Sequence, residues 1–322
     1  MATDARAFWI EAAGQGALRP AAVAPGPGDV AIATQVSAIS RGTEALVFRG
    51  GVPASEWARM RAPLQDGDFP FPVKYGYAAV GEVTVGPPAL IGRMVFVLHP
   101  HQDRFAAPAA MAVPVPPGVP PRRAALAANA ETALNVVWDA AIGPGDRVAV
   151  VGAGVVGALA GWIAGRIPGT EVTFVDVNPA RAALAAALGC GFAVPGEAPG
   201  ACDAVIHASA SAEGLGTALR LAGTEATVVE ASWYGDRPVT LGLGAAFHSR
   251  RLRLIASQVG ELPPLRRPRW THRRRLEAAL ALLADPAADT LLSGETAFAD
   301  LPRRYGEILA DPDTLCHLVR YD

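Results

Sequence analysis

Three glycines mark the stretch of sequence whose spacing most clearly indicates chemistry. Gly152, Gly154 and Gly157 form the pattern G-x-G-x-x-G between two apolar runs, with Val155 and Val156 inside the pattern. In such a pattern the first glycine permits a tight turn, the second lets the backbone approach a pyrophosphate, and the third lets a helix pack on a strand. The phosphate charge then lies against free N–H groups at the start of the helix. The motif therefore predicts a dinucleotide site, although glycines also occur where a helix and a strand simply pack closely.

An acidic residue at the end of the next apolar run points to the same ligand. Asp176 follows Gly157 by about 20 residues, as in the dinucleotide fingerprint. A carboxylate at this position accepts hydrogen bonds from the ribose hydroxyls of NAD and repels the 2′-phosphate of NADP. Arg181 is near enough in sequence to offer a cation to that phosphate. We therefore predict NAD as the cofactor, with NADP less favoured. The alternative interpretation of Asp176 is a solvated aspartate at the end of a strand, without a role in cofactor binding.

The composition of the chain excludes several classes of protein. Its 322 residues allow two domains, and 51% of them are hydrophobic, as in ordinary globular proteins. The formal net charge of -2 indicates neither a nucleic-acid-binding protein nor an acidic disordered tail. Cys190, Cys202 and Cys316 lie far apart, which argues against a disulfide framework and against a four-cysteine zinc site. Three separate thiols are typical of a reducing compartment, so we expect a cytoplasmic protein.

Two local features could suggest other partners. The segment 266–275, RRPRWTHRRR, is basic, but on a chain with net negative charge it is more typical of a solvated helix face than of a nucleic-acid site. The longest apolar stretch surrounds the glycine pattern, and its glycines favour a buried strand, turn and helix over a membrane span. The first ten residues contain no apolar signal core. We therefore expect no nucleic-acid partner and no membrane association.

The elements that must position these residues differ along the chain. In the first 120 or so residues, short runs of β-like sequence lie between frequent proline and glycine residues, as at 29–40, 78–86 and 93–100. This texture predicts an irregular, barrel-like β domain. The proline-rich run 114–121 marks its end, because proline terminates regular structure.

Helices and strands alternate after that run. Residues 122–141 are rich in alanine and free of proline and glycine, which predicts a helix, and the strand, glycine turn and helix of the dinucleotide motif follow. Further strands are predicted at 170–179, 202–210, 226–232 and 253–260, and further helices at 180–189 and 214–223. This alternation predicts the α/β class with a doubly wound parallel sheet. Beyond it we expect a basic helix at 271–284, a helix near 301–309 and a final strand at 315–321.

The sequence resembles the medium-chain dehydrogenase/reductase superfamily, which contains the zinc alcohol dehydrogenases and the quinone reductases. Two segments, SRGTEALVFRGGVPASEWARMRAP and DFPFPVKYGYAAVGEV, are similar to the branch that contains bacteriochlorophyllide a dehydrogenase. The resemblance covers essentially the whole chain. It implies a GroES-like β-barrel catalytic domain over residues 1–122, a Rossmann NAD-binding domain over 123–260, and a segment, 261–322, that returns to the catalytic domain. It also implies a homodimer that acts on a small-molecule substrate.

The positions at which zinc-using members of the superfamily hold their metal are different in this chain. Arg41 stands where those members have a cysteine, and Tyr77 stands where they have the histidine of a Gly-His-Glu motif. If Thr132 corresponds to the threonine of the cofactor-facing helix, the third ligand position is Ala128. The loop that holds a structural zinc is shortened to HPHQDR, whose two histidines lack a cysteine or carboxylate partner. We therefore predict a protein without zinc.

Without zinc, a substrate oxygen must be polarised by hydrogen bonds or by a fixed cation. The resemblance implies that Thr43 corresponds to the hydroxyl residue that passes on the substrate proton, and that Tyr77 has a phenolic proton to offer. It places His99 among the side chains of the substrate pocket, where the ordinary pKa of histidine suits a proton relay. Arg41 could supply the missing positive charge, although a guanidinium is not an acid at neutral pH.

Each of these four side chains also has a structural interpretation. Thr43 could bind only the cofactor ribose, and Tyr77 could fill the volume that zinc has left. His99 could be an ordinary loop histidine. The arginine could pair with Glu44 or with Glu131 instead of acting on a substrate.

Five further residues lie along the dinucleotide by resemblance: Thr132, Ala208, Ser209, Ser232 and Ser257. Trp233 and Tyr234 follow the predicted fourth strand and could form an aromatic wall for a flat substrate, or could simply pack in the core.

Three functions remain open from the sequence. In an alcohol–ketone dehydrogenase, hydride passes between the nicotinamide and a carbinol carbon, and the branch similarity favours this function on a ring-bearing substrate. In an enone or quinone reductase, hydride passes to carbon or to a quinone, and loss of the zinc ligands favours this second function. The third is a dinucleotide-binding protein without turnover. Convergence of Thr43, Tyr77 and His99 in one cleft would argue against it.

Overall fold

The structure, a computed structural model, describes residues 3–321 of the chain. The first two residues and Asp322, at the outer ends of the predicted first and third segments, lie outside the described residues. The chain forms two compact units. The first unit contains the described residues up to Ala128, residues 280–284 and the described residues from Leu292 onward, and the second contains Asn129–Ala279 and Asp285–Leu291.

The first unit is mainly β structure. Its helices are α1 (Arg41–Phe48), α2 (Pro121–Ala124) and α9 (Leu301–Ala310). Its strands are β1 (Thr3–Ala12), β2 (Gln15–Val23), β3 (Asp29–Ser40), β4 (Asp66–Gly67), β5 (Val73–Lys74), β6 (Ala79–Val85), β7 (Met94–Val97), β8 (Arg104–Pro108), β9 (Val113–Pro114), β16 (Leu292–Ala297) and β17 (Cys316–Arg320). Short 3₁₀ turns lie at Ala54–Glu56, Ala109–Met111 and Phe298–Asp300.

Two sheets build this unit. A four-stranded sheet has the order β2-β1-β5-β4, and a seven-stranded sheet has the order β16-β17-β3-β6-β7-β9 with β8 also paired to β3. The long strand β3 has the bounds of the predicted run 29–40, and its apolar side chains face a buried cluster that includes Val30, Ile32 and Phe105. It ends at Ser40, where α1 begins, so the sheet fixes the position of the first helical turn.

The second unit consists of alternating strands and helices. Its strands are β10 (Arg147–Val151), β11 (Glu171–Val175), β12 (Gly191–Ala193), β13 (Cys202–His207), β14 (Ala222–Glu230) and β15 (Arg253–Ala256). Its helices are α3 (Ala127–Asp139), α4 (Val155–Ala164), α5 (Arg181–Ala187), α6 (Ala212–Leu221), α7 (Ala246–Ser249) and α8 (His272–Leu282), of which α3 begins and α8 ends in residues of the first unit. A 3₁₀ turn spans Pro286–Leu291.

The six strands of the second unit form one parallel sheet in the order β12-β11-β10-β13-β14-β15. The predicted α/β class with a doubly wound parallel sheet is confirmed. Buried alanine and leucine side chains of α6 pack with valines of β10, β13 and β14, because near-continuous apolar strands need cover on both faces. The carboxyl ends of the central strands therefore meet at one edge, where such folds bind ligands.

Two predicted helices differ from the elements in the structure. The predicted helix 122–141 is divided into α2 and α3, and the Leu126 N–H donates to Arg123 O in a tighter, 3₁₀-type bond at the break. The predicted basic helix 271–284 corresponds to α8, which is shorter, His272–Leu282, and lies largely in the second unit. The physical reason is Arg275, which is buried in the second unit against Glu131 of α3.

Candidate functional site

The glycine turn lies at the carboxyl end of β10, where α4 begins. Gly152 has a φ of +100°, and a Cβ on it would lie 2.6 Å from the backbone nitrogen of Ser209. A Cβ on Gly157 would lie 2.0 Å from the Gly152 carbonyl oxygen, so helix and turn touch without space for a side chain. Gly154 is the N-cap of α4 without a side-chain cap, and no atom lies within 4 Å of a Cβ placed there. Helix N–H groups beside open space fit a pyrophosphate, and Val155 supplies the first of them.

Asp176 follows β11 and is hydrogen-bonded to the glycine turn. Its Oδ2 accepts the Ala153 N–H at 2.7 Å, and its Oδ1 accepts the Asn178 N–H at 2.8 Å. These bonds fix the carboxylate beside the turn, and each oxygen keeps a second acceptor direction for a ribose hydroxyl. Arg181, the cation considered for a 2′-phosphate, is the first residue of α5, the helix that follows. The glycine turn and Asp176 together fit a nicotinamide dinucleotide.

A buried polar pair that the sequence did not predict joins the ends of β13 and β14. His207 and Glu230 are paired in register, and His207 Nδ1 lies 2.8 Å from Glu230 Oε2. His207 Nε2 lies 2.6 Å from Ser209 Oγ, and the Tyr234 hydroxyl donates to Glu230 Oε2 at 3.0 Å. Burial opposes ionisation of Glu230, but hydrogen bonds from His207 and Ser232 outweigh it and lower the pKa of that carboxyl. Polar residues that end two neighbouring parallel strands were the signal that could have revealed this pair.

The other predicted cofactor residues follow the strands of the same sheet. Ala208 comes directly after β13, Ser232 after β14 and Ser257 after β15. Ser232 Oγ accepts the Ala210 N–H at 3.0 Å. The Ser257 hydroxyl donates to Asp139 Oδ2 of α3 at 2.7 Å, so its proton is already used within the unit. The structure thus brings the predicted residues of these three strands to one edge of the sheet.

Helix α3, which carries the partly buried Thr132, is anchored by a buried cation. Arg275 Nε lies 3.0 Å from Glu131 Oε1, and Arg275 Nη1 donates to Asn135 Oδ1 at 2.5 Å. Burial raises the pKa of Glu131 from its ordinary value, and the charge of Arg275 opposes that rise. The arginine thereby anchors α3, the helix that carries the predicted threonine.

In the first unit, three hydroxyl groups come together at the start of α1. Thr43 lies in the first turn of the helix, and the Tyr77 hydroxyl is hydrogen-bonded to the side chains of Ser40 and Thr43. Burial raises the pKa of Tyr77 to about 12; the charge of Glu44 acts in the same direction, and the two hydrogen bonds oppose it. The phenol therefore keeps its proton at neutral pH and can donate it in a hydrogen bond. The Tyr77 side chain is half-buried.

Glu44 lies fully buried behind these hydroxyl groups. Its Oε1 accepts the backbone N–H of Ser40 at 2.7 Å, and its Oε2 accepts the Tyr305 hydroxyl at 2.5 Å. His101 Nε2 lies 3.0 Å from the same Oε2. Gly76 has a φ of +122°, and a Cβ on it would lie 3.0 Å from the His101 ring. The histidine therefore packs directly on the backbone that presents the candidate tyrosine.

Arg41 contacts a different partner from those considered in the sequence. Its Nε donates to the backbone carbonyl of Asp311, which follows α9, at 3.1 Å. Glu44 is bonded as described above, and Glu131 binds Arg275. The guanidinium is therefore tied to the backbone after α9.

His99 is a buried neutral histidine, not a group that titrates near neutral pH. Its ring stacks on Phe105 with centroids 3.7 Å apart, and its Nδ1 donates to the Pro100 carbonyl at 2.8 Å. Burial lowers the pKa of His99 to about 3, although the bond to Pro100 opposes this change. The sequence suggested a proton relay on the ordinary pKa of histidine, and burial removes that basis.

The positions that the resemblance assigned to zinc do not carry a zinc ligand set. Among residues 3–321, the structure contains no group of three or more His, Cys, Asp or Glu side chains that could hold a metal ion. Both ring nitrogens of His101 are engaged, by Ser37 at 2.7 Å and by Glu44 at 3.0 Å. A guanidinium and a methyl group, at Arg41 and Ala128, offer no ligand atom. The residues present do not fit the three-ligand zinc site.

The basic segment forms intramolecular contacts. Arg266 stacks on Trp138 and Arg274 on Trp270, at 4.9 and 4.0 Å from the ring centroids. Arg273 pairs with a glutamate one turn later on α8. No helix within the described part of the chain is long and apolar enough to cross a membrane.

Of the comparisons with known proteins, the one with solved structures finds matches that cover nearly the whole chain. No family model matches it, and no curated protein matches it. Three solved structures illustrate its likeness in fold. A protein named as a zinc-binding dehydrogenase from Sinorhizobium meliloti 1021, bound to NADP, is 19% identical over 99% of both chains with a TM-score of 0.77. L-idonate 5-dehydrogenase from Escherichia coli K-12 is 14% identical over 99% of both chains, with a TM-score of 0.82.

A short chain alcohol dehydrogenase from Escherichia coli CFT073, complexed with NADH, is 15% identical over 99% of both chains with a TM-score of 0.78. At these identities the likeness shows the fold. The chain has the two-domain fold of medium-chain alcohol dehydrogenase-like proteins, as the resemblance implied.

Proposed function

We propose that the chain is a zinc-independent, NAD(H)-dependent oxidoreductase that transfers hydride between the nicotinamide and an alcohol or ketone. The observation that carries this proposal is the hydroxyl cluster at the start of α1. Tyr77 stands at a position where zinc-using relatives hold their metal, and its hydroxyl is bonded to Thr43 and Ser40. A phenol that stays protonated at neutral pH can polarise a substrate oxygen without a metal.

The chain supplies binding, orientation and proton transfer. When bound, the nicotinamide gives or accepts the hydride. The N–H groups at the start of α4 would hold the pyrophosphate, and Asp176 would accept the ribose hydroxyls. Tyr77 would donate a hydrogen bond to the substrate oxygen, and Thr43 would pass the proton to or from that phenol.

We propose NAD as the preferred cofactor, because a carboxylate beside the glycine turn repels a 2′-phosphate. Asp176 is held in that place by two backbone N–H groups, so it cannot easily swing away. Arg181 is the group that could favour NADP instead. Of the structures compared above, one holds NADP and another holds NADH, so the fold accepts either cofactor.

A second candidate function is an enone or quinone reductase. The absence of a zinc ligand set at Arg41, Tyr77 and Ala128 favours it, because reduction at carbon or at a quinone needs no metal-bound oxygen. The branch similarity of the sequence favours an alcohol on a ring-bearing substrate. A dinucleotide-binding protein without turnover is the third possibility, and the hydroxyl cluster argues against it.

A substrate screen separates these functions. Purified protein is incubated with NAD or NADH and with ring-bearing secondary alcohols, ketones, enones and quinones, and the NADH absorbance is followed. Turnover of the carbinol and ketone pair supports the first proposal, and turnover of enones or quinones alone supports the second. Activity should survive dialysis against a chelator, and elemental analysis should find no stoichiometric zinc.

The role of Tyr77 is tested by removing one oxygen atom. Tyr77→Phe should lower kcat by on the order of 100-fold or more, because one transition-state donor is lost. The Kd for NADH should stay nearly unchanged. Tyr75→Phe is the matched control, since it removes the hydroxyl of a ring whose centroid is 6.0 Å away. If Tyr77→Phe keeps the kcat of the wild type, Tyr77 has a packing role and does not donate to the substrate.

The homodimer, the cytoplasmic location and the domain bounds 1–122, 123–260 and 261–322 stay predictions. Size-exclusion chromatography with light scattering tests the first of them.

A further inference from the structure

We propose that Glu44 is a positioning residue for Tyr77. It holds the backbone of Ser40 in a conformation that directs the Ser40 hydroxyl to the phenol and not to the helix end that a serine at this position usually caps. The inference rests on the proposed function, in which Tyr77 polarises a substrate oxygen. It adds a residue that acts on the donor without touching the substrate.

Ser40 is the N-cap residue of α1, but its side chain does not cap the helix. Serine is preferred at the N-cap because its hydroxyl oxygen accepts a backbone N–H of the first turn. The Ser40 side chain makes no such bond, and its ψ of 86° lies outside the extended conformation that is typical of a capping serine. Its hydroxyl is bonded to Tyr77 instead.

Ser211 shows the ordinary arrangement in the same chain. It is the N-cap residue of α6, it has a ψ of 146°, and its Oγ accepts the Gly214 N–H at 2.9 Å. Loss of such a cap lowers the stability of a helix. The chain therefore gives up a stabilising contact at Ser40, and another group must fix the start of α1.

Glu44 is that group. It lies one turn after Ser40 in α1, and its Oε1 accepts the Ser40 backbone N–H at 2.7 Å. In a capping box, a glutamate three residues into the helix reaches back to the N-cap backbone while the N-cap hydroxyl bonds the helix. Here the glutamate is one residue further along, and only its half of the arrangement is present. The start of the helix stays fixed while the serine hydroxyl is directed to the phenol.

The Glu44 carboxylate is itself fixed through its other oxygen. Its Oε2 accepts the Tyr305 hydroxyl at 2.5 Å and lies 3.0 Å from His101 Nε2. The side chain is fully buried, so water does not compete for these bonds. Release of the Ser40 N–H would leave a buried donor and a buried acceptor without their bond, which is costly. Glu44 therefore has one stable orientation.

The same buried group also lies beside the backbone that carries Tyr77. The His101 ring packs on Gly76, because a Cβ on that glycine would lie 3.1 Å from His101 Nε2. The histidine that contacts Glu44 is thus in contact with the residue before the tyrosine. The two chain segments that meet at the phenol are both fixed from one side by the buried pair of Glu44 and His101.

The direction of the Ser40 bond suits the proposed role of the phenol. Burial raises the pKa of Tyr77 to about 12, and the bonds from Ser40 and Thr43 oppose that rise. A donor to the phenolic oxygen has this effect, because it stabilises the charged form. A phenol has a single proton, so it can polarise a substrate oxygen only if its neighbours do not take that proton. Ser40 as a donor leaves the proton available.

Two substitutions separate the reach of Glu44 from its charge. Glu44→Asp keeps the negative charge but is one methylene shorter, so it no longer reaches the Ser40 N–H. Glu44→Gln loses the charge but keeps an amide oxygen for that N–H, and its NH₂ group can donate to Tyr305 and His101. The effect of Ser40→Ala is then compared in the wild-type, Asp and Gln backgrounds, as in a double-mutant cycle.

The ¹³Cζ chemical shift of Tyr77 gives a measurement without substrate or cofactor. It reports hydrogen bonds to the phenolic oxygen in full-length protein labelled on tyrosine, and Tyr77→Phe assigns the signal. Ser40→Ala should shift this signal in the wild type and by a similar amount in Glu44→Gln. It should add little in Glu44→Asp, in which the serine has already left the phenol. Circular dichroism checks that each variant is folded.

Glu82→Asp is the matched control, because it makes the same change at an exposed glutamate of β6. Ser40→Ala should keep its full effect on the Tyr77 signal in this background. A full effect of Ser40→Ala in Glu44→Asp, or no effect in Glu44→Gln, would refute the positioning role.

A second arm measures turnover once the screen above has supplied a carbinol substrate. Glu44→Asp should lower kcat by on the order of ten-fold or more, because a small misplacement of a catalytic group is costly. The KM for NADH should stay unchanged, and the kcat of Glu44→Gln should lie above that of Glu44→Asp. A wild-type kcat in Glu44→Asp would refute the role. A wild type that turns over none of the screened compounds would count against the proposed function alone, because the ¹³C experiment stands without it.

Discussion

Replacing His99 by asparagine should reduce the loss of stability of this protein in mild acid. Burial lowers the pKa of His99 in the folded chain from its ordinary value of 6.5 to about 3. As the pH falls below about 6.5, the unfolded chain gains a proton that the folded chain does not bind, so stability falls until the pH reaches about 3. A pH of about 5 lies about 1.5 pH units below the ordinary histidine pKa of 6.5, which the unfolded chain keeps. At that pH the folded protein has therefore lost roughly 2 kcal/mol of stability through His99.

Urea unfolding followed by circular dichroism measures this difference. Asparagine keeps an amide N–H that can reach the Pro100 carbonyl, but it does not titrate. Between about pH 7.5 and about pH 5 the wild type should lose roughly 2 kcal/mol more free energy of unfolding than His99→Asn. Between about pH 7.5 and about pH 9 the two proteins should change alike, because the imidazole is neutral in both states. Equal losses in acid would mean that the folded protein protonates His99, and the reasoning from its burial would fail.

Two further substitutions test the second unit. Asp176→Ala should weaken NADH binding and reduce the difference in affinity between NADH and NADPH, because the group that repels a 2′-phosphate is removed. Fluorescence titration measures both affinities. Tighter binding of NADPH than of NADH by the wild type would contradict the assignment of Asp176. Arg275→Leu should lower the free energy of unfolding by about 3–5 kcal/mol, because Glu131 is left buried without its cation. Adding Glu131→Leu to Arg275→Leu should recover much of that loss in the same urea experiment. If Arg275→Leu alone is as stable as the wild type, the ion pair between Arg275 and Glu131 does not stabilise the fold.

The fold and the dinucleotide turn followed from local sequence patterns. The run 29–40 has the bounds of β3, and the glycine pattern lies between β10 and α4, because periodicity and glycine spacing act over a few residues. The division of the predicted helix 122–141 was missed, since no glycine or proline marks it. A tertiary contact accompanies the break: Arg123 Nη1 donates to the carbonyl oxygen of Ala284 at 3.2 Å.

The buried polar groups of the candidate site could not be read from the sequence. Glu44 meets His101 and Tyr305 only after β3, the loop at 98–103 and α9 have packed together. A sequence gives each of these residues a chemical type but not a neighbour. The same limit applies to His99, whose low pKa arises from burial against Phe105 and not from its own chemistry.

The strand pairing of the first unit imposes an order on folding during synthesis. In its larger sheet the central strand β3 pairs with β17, so that Ser40 lies opposite Cys316. A ribosome makes β3 before the second unit and β17 after it, with the whole parallel sheet of the second unit in between. Chains generally fold by units as they emerge. The second unit can therefore complete its sheet first, while the hydroxyl partners Tyr305 and Tyr321 reach Glu44 and Ser37 only after the second unit has been made.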